Sequence, residues 1–250
     1  MGGSWPPFLL SKIFAFWLVY IMSNQIESAR VPAFNIPAII IIFMTAFAAI
    51  HFYRENLSGI ADSNLLFQFG FIPKLFFSDV KYTNLSIWFS VVTYAFLHGS
   101  WAHLILNSLW FVAFGSVVAR SLGAGLFIVF FTLTAIFSAI VYGMLHPDLL
   151  SPLIGASGSV SGAMAAALMM VPIVDTGNFR LLPLKEALQE RRVQATIGIW
   201  VLINIFSGIG INPSMVNETA QIAWEAHLAG FFCGLVLIGF MHKLRGHPNS

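Results

Sequence analysis

Long apolar runs separated by short polar turns dominate the chain. A helix needs about 20 apolar residues to cross the hydrocarbon of a bilayer. Runs near that length fall at residues 36–53, 100–120, 123–145, 157–174, 193–211 and 224–242. Polar or turn-forming residues close them, among them Arg54-Glu55, Arg120, His146-Pro147-Asp148, Asp175 and Asn212-Pro213. Six spanning helices are therefore expected. An earlier run, 8–22, is shorter and contains Lys12, which suits a helix lying in the interface. Residues 24–35 follow as a polar connector with Glu27, Arg30 and Pro32. Between the first two expected spans, residues 56–84 mix Gly59, Asp62, Pro73, Lys74 and Asp79 with Phe and Leu. A connection of that length that keeps its aromatics usually has a functional, lid-like character. Residues 85–97 are apolar again, but His98-Gly99-Ser100 stops them, so this piece is expected to dip into the membrane edge without crossing.

Composition turns that pattern into a class. Of 250 residues, 58% are hydrophobic and 9% charged, against about 25% charged in soluble domains. The chain is read as an all-α polytopic membrane protein with a long first external loop. It divides into an N-terminal cytoplasmic or interfacial segment (1–35), a transmembrane domain (36–242) and a cytoplasmic tail (243–250). Its single cysteine, Cys233, excludes an internal disulfide framework and any Cys-rich metal site. No basic stretch precedes the first apolar run, which argues against a cleaved signal peptide. Pro6 stands where a myristoylation signal needs Ser or Thr. With six spans, nine of the 12 Lys and Arg side chains fall on the side of the termini. Arg54, Lys74 and Lys81 fall opposite. The positive-inside rule then places both termini in the cytoplasm. Ser157, His103 and His227 all fall near the outer ends of their spans, at about one depth.

Candidate chemistry gathers at that depth. Residues 155–162, Gly-Ala-Ser-Gly-Ser-Val-Ser-Gly, are small where a lipid-facing turn would be Leu, Ile or Phe. Gly158 and Gly162 form a small-xxx-small pair beside Ser157; Gly230 and Gly234 form another, three and seven residues after His227. Such faces, Gly155 included as a packing residue, let two helices come close. A serine hydroxyl needs a base to take its proton, and a neutral imidazole is suited to that. Glu225 lies about 160–200° round the helix from His227, and no other acid stands near. A Ser–His dyad is expected, with no third member. His103 and Asn107, four apart, share a helix face. Both can donate hydrogen bonds to an oxyanion, as can the free amide of Ser157 at a helix start. The bland alternative for His103 and Asn107 is helix glue. His98 is assigned no catalysis. Arg120 is read as a headgroup anchor, and solvation at span ends or in the tail suffices for His51, His146, His242 and His247.

Gly155-Ala156-Ser157-Gly158, then Ala226-His227 with Gly230, and earlier His103-xxx-Asn107, together resemble the rhomboid family of intramembrane serine proteases. The resemblance covers roughly residues 36–242 and implies a six-span rhomboid-like bundle. It implies hydrolysis of single-span membrane proteins near the outer face, with Ser157 as nucleophile and His227 as base and then acid. By the same matching, His103, Asn107 and the Ser157 amide hold the oxyanion. No metal, nucleotide or nucleic-acid partner is implied, and the compact form suggests a bacterial inner membrane. Two positions depart from the family pattern. The Trp-Arg pair common in the first loop is replaced by Phe89-Ser90, with Trp88 displaced by one. Ser161 stands where some members stack a Tyr on the base, so packing around His227 must come from elsewhere, with Trp224 and Phe231 the candidates. A catalytically silent relative that binds membrane-protein clients would share the fold. A transporter would call for mid-membrane acids, which the spans lack. A zinc protease would need His-Glu-x-x-His, which is absent.

Overall fold

The computed structural model describes residues 36–79, 84–173, 179–208 and 223–245. The interfacial segment expected at 8–22 and the connector after it lie outside the described residues. Helix α1, Ala38–Glu55, is the first helix among the described residues. Three helices then fill the first external connection: α2 (Gly59–Phe69), α3 (Pro73–Phe77) and α4 (Leu85–Thr93). Ser58 caps α2 and Asn84 caps α4, each side chain accepting a first-turn amide. A 3₁₀ turn, Tyr94–Phe96, ends this region.

Helix α5 (Trp101–Trp110) passes through a π-helical turn, Phe111–Gly115, into α6 (Ser116–Leu145). Together they form a 45-residue apolar stretch, yet it is no single rod. Phe111 and Phe127 have ring centroids 5.8 Å apart, whereas a straight helix would separate them by about 24 Å. The chain reverses at Gly123, whose φ of 75° and ψ of 163° are non-helical. Glycine reaches that conformation without strain from a side chain. The orphaned carbonyls at the turn, those of Arg120 and Ser121, accept hydrogen bonds from the Arg245 guanidinium. The reversal falls where the boundary between the second and third expected spans was drawn.

The fourth expected span, 157–174, is corrected. Helix α7, Ser157–Leu168, has 12 residues and reaches only about 18 Å, too short for a 30 Å hydrocarbon core. Every residue from Gly158 to Leu168 is buried, so α7 is a central pillar wrapped by other helices. Apolar composition alone could not tell such a pillar from a lipid-facing span. The chain then forms a two-stranded antiparallel hairpin that helical periodicity did not foreshadow, β1 (Met170–Pro172) with β2 (Phe179–Leu181). A single turn, α8 (Leu184–Ala187), leads to α9 (Arg191–Gly208), and the last described helix is α10 (Trp224–Leu244).

Among the described residues, three stretches are long and apolar enough to cross a membrane: Ala38–Glu55, Trp101–Leu145 and Trp224–Leu244. Length and apolarity alone therefore do not reach the expected count of six. The core beneath the outer end is aromatic: Phe43, Phe47, Phe96, Phe111, Phe127 and Phe131 pack with centroids 4.7–6.4 Å apart. These offset and edge-on pairs add to the apolar burial.

Candidate active site

The segment leading into α7 is held by the external connection. Phe71 and Leu153 exchange two backbone hydrogen bonds, 3.1 and 2.8 Å. The Lys74 amide donates to the Leu149 carbonyl at 3.1 Å, and the Gly155 amide to the Tyr94 carbonyl at 3.0 Å. Tyr94 is itself pinned, its hydroxyl donating to the Ala135 carbonyl at 2.9 Å. Four backbone bonds thus fix the approach to Ser157, which opens α7 half-buried. At that first turn the backbone amides have no partner within the helix.

His103 comes to the same spot from α5. Ser100 caps that helix, its hydroxyl accepting from the His103 amide at 3.1 Å. The His103 ring accepts at Nδ1 from the Gly99 amide, 3.4 Å away, which leaves the ring proton on Nε2. Nε2 points at Gly155, where φ is 115°. A Cβ there would lie 2.9 Å from His103 Nε2 and 3.7 Å from Ser157 Oγ. The missing side chain of Gly155 is therefore the gap shared by the serine hydroxyl and an imidazole N–H. This corrects the expectation that Gly155 packs helices. Asn107 is buried one turn below and donates through Nδ2 to the His103 carbonyl at 3.0 Å.

The other glycines meet across α7 and α10. A Cβ on Gly158 would fall 2.5 Å from Ser138 Oγ and 3.5 Å from the Ala226 carbonyl oxygen. One on Gly162 would fall 2.8 Å from the Gly230 carbonyl oxygen. Gly230 and Gly234 lie directly against the backbones of Gly158 and Gly162. Ser157, just before Gly158, and His227, just after Ala226, thus stand on adjoining turns of two touching helices.

Behind His227 stands a residue that sequence reasoning missed. His227 Nδ1 is 2.8 Å from Asn204 Oδ1 on α9. A signal was present: a lone Asn inside the apolar run Ile-Trp-Val-Leu-Ile-Asn-Ile-Phe is costly in a membrane helix unless it has a partner. One turn further in, Trp200 of α9 stacks on Phe231 of α10, centroids 4.9 Å apart and 24° between planes. Of the two aromatics expected to pack around His227, Phe231 is turned to Trp200 and Trp224 is 39% exposed. Glu225 faces away from His227, its carboxylate 3.1 Å from His146 Nε2.

The first connection is clamped to α1 by an arginine. Arg54, at the end of α1, makes a two-pronged contact with Asp62 in the first turn of α2, 2.7 and 3.0 Å. The same guanidinium donates to the His98 carbonyl at 2.7 Å. A planar fork suits both jobs, and it ties α1, the external helices and the turn before α5 together. His98 is fully buried, its ring 5.2 Å from Phe47 and 5.3 Å from His103. Burial, reinforced by His103 and His51, pushes its pKa down to about 3, so it is neutral at physiological pH and supports the His103 ring by contact. Interfacial solvation does not account for His51 or His242. His51 is buried edge-on to Trp101, 4.6 Å away, and His242 is buried 3.2 Å from the Phe179 carbonyl. Among the described residues, no three His, Cys, Asp or Glu side chains are placed to hold a metal ion.

Fold and site define an α-helical membrane bundle with serine, histidine and asparagine side chains gathered at one end of α7. The sequence matches the Rhomboid domain family over residues 86–244, and the chain belongs to that family. It is also similar to Rhomboid-like protein 11, chloroplastic, of Arabidopsis thaliana, 27% identical over 164 residues. That match covers 65% of this chain and 55% of the relative's length.

Proposed function

We propose that the protein is an intramembrane serine endopeptidase of the rhomboid type. Ser157 Oγ attacks the scissile carbonyl while His227 Nε2 takes its proton. As the C–N bond breaks, His227 returns the proton to the leaving amine, and water then hydrolyses the acyl-serine by the same route reversed. The oxyanion forms in the gap over Gly155, where His103 Nε2–H and the Ser157 amide donate, with Asn107 adding its free amide proton. The observation that carries this reading is the shared gap at Gly155, with a serine hydroxyl on one side and an imidazole donor on the other.

Substrates are single-span membrane proteins, cut near the outer face where the helix can unwind. The bundle crosses the membrane six times, the short α7 with its flanking segments making the fourth crossing shielded inside the other helices, and both termini are cytoplasmic, on the side holding nine of the 12 cationic side chains. The relative is a chloroplast protein, so the expectation of a bacterial inner membrane is to be checked by fractionation of the native source.

The test is cleavage of a labelled single-span substrate by purified protein in detergent. Ser157→Ala and His227→Ala are each expected to lower turnover at least ~10³-fold. A fluorophosphonate should label Ser157 only when His227 is present. Cleavage that persists in Ser157→Ala ends the proposal. A folded wild type that neither cleaves nor labels points to a catalytically silent, client-binding relative.

A further inference from the structure

We infer that Asn204 is a positioning residue for His227, so that the site works as a Ser157–His227–Asn204 triad supplied by three different helices. The inference rests on the protease reading above and assigns it a residue beyond the Ser–His pair.

The geometry decides the direction of the bond. Asn204 Nδ2 donates to the Trp200 carbonyl at 2.7 Å. Turning the amide over would set oxygen against oxygen there, so the side chain is locked with Oδ1 toward His227. An amide oxygen only accepts. His227 Nδ1, 2.8 Å away, must therefore carry the ring proton, which leaves the lone pair on Nε2. A base needs that tautomer, and an asparagine fills the equivalent role in papain-like proteases. A neutral partner also avoids placing a carboxylate in a low-dielectric bundle, where an unpaired charge is costly. The stacked pair Trp200–Phe231, one turn further in on the same two helices, sets the spacing that the hydrogen bond requires.

Among the described residues, the other titratable groups near this pair are His103, across the site, and Glu225, which is turned to His146 beside Tyr142. Neither bonds to His227 Nδ1.

The test uses purified full-length protein in detergent with the labelled single-span substrate. Asn204→Ala is expected to lower kcat about 10–100-fold with KM within about twofold, and to slow fluorophosphonate labelling of Ser157 in parallel. Asn204→Asp keeps the volume and the acceptor. Its added charge favours the imidazolium, so the acid limb of its kcat/KM profile should move up by about one pH unit or more. A residue with only a packing role would lower the melting temperature without moving that limb. An unchanged kcat in Asn204→Ala, or an acid limb in Asn204→Asp that coincides with wild type, overturns the inference. Should the alanine variant not fold, the aspartate profile decides alone. Ser157→Ala, run alongside, separates the two failures. Cleavage surviving there removes the protease reading and the triad together, whereas cleavage lost there but untouched by both Asn204 substitutions removes only the triad.

Discussion

At Gly155 one absent methyl group keeps the site open. Its φ of 115° lies where side chains are strained, and a Cβ would press on the His103 ring at 2.8 Å. Gly155→Ala should therefore lower kcat by about 10²–10³-fold, like the loss of an oxyanion donor. Backbone strain adds about 1–3 kcal/mol of destabilisation. Steady-state kinetics with a melting curve on the same preparation checks both, and a fully active alanine variant would place the oxyanion elsewhere. That Ser157, His227 and His103 lie close together was legible in the sequence, because polar groups in apolar runs stand out and their spacing beside glycines is itself a message. The job of Gly155 was not, because spacing says nothing about φ. Nor was that of Asn204: it lies 23 residues from His227 in sequence, and only helix packing brings the two within hydrogen-bond reach.

Among the elements, the contact of α7 with α10 decides whether Ser157 and His227 meet. Backbone lies against backbone at Gly158–Gly230 and Gly162–Gly234, the approach that small residues permit between membrane helices. Gly234→Val should push α10 outward, lower the melting temperature in detergent by several degrees and reduce fluorophosphonate labelling of Ser157. Gly239→Ala, on the same helix with nothing within 4 Å of its Cβ position, should leave labelling unchanged and stabilise by up to about 1 kcal/mol. Equal effects from the two would mean that the close approach is irrelevant to the site. The glycine spacing announced this contact before any coordinates. The length of α7 was overread because an apolar stretch looks the same to a hydropathy count whether lipid or protein surrounds it. The reversal at Gly123 was read correctly from Arg120 and the glycines beyond, where a polar, flexible break interrupts the apolar run.

For the whole molecule, the external helices act as scaffold for the site. They fasten the approach to Ser157 through Phe71, Lys74 and Tyr94, and Arg54 clamps them to α1. His98, in the turn between the 3₁₀ segment and α5, links this scaffold to His103 and gives it a pH dependence. Its pKa is held at about 3 when folded, against about 6.5 unfolded. The unfolded chain therefore binds the extra proton first. Stability from this group is complete above pH 6.5 and is lost as pH falls toward 3, by at most about 1.4 kcal/mol per pH unit. Between pH 7 and 4.5 the melting temperature of wild type should fall more than that of His98→Phe, and parallel curves would refute the linkage. The all-α membrane class was legible because long apolar runs and scarce charge report on the membrane. The clamp was not, because Arg54 and Asp62 looked like an ordinary span end and loop acid until folding brought them together. Helix α9 adds a consequence of its own. It is seated by one stripe, Val193, Thr196, Trp200 and Asn204, while Val201, Leu202, Ile203 and Ile205 are left exposed. In the proposed triad the acceptor for His227 sits on that same stripe, so seating α9 and orienting the base are one event, and a protease of this build would be idle wherever α9 is out of place.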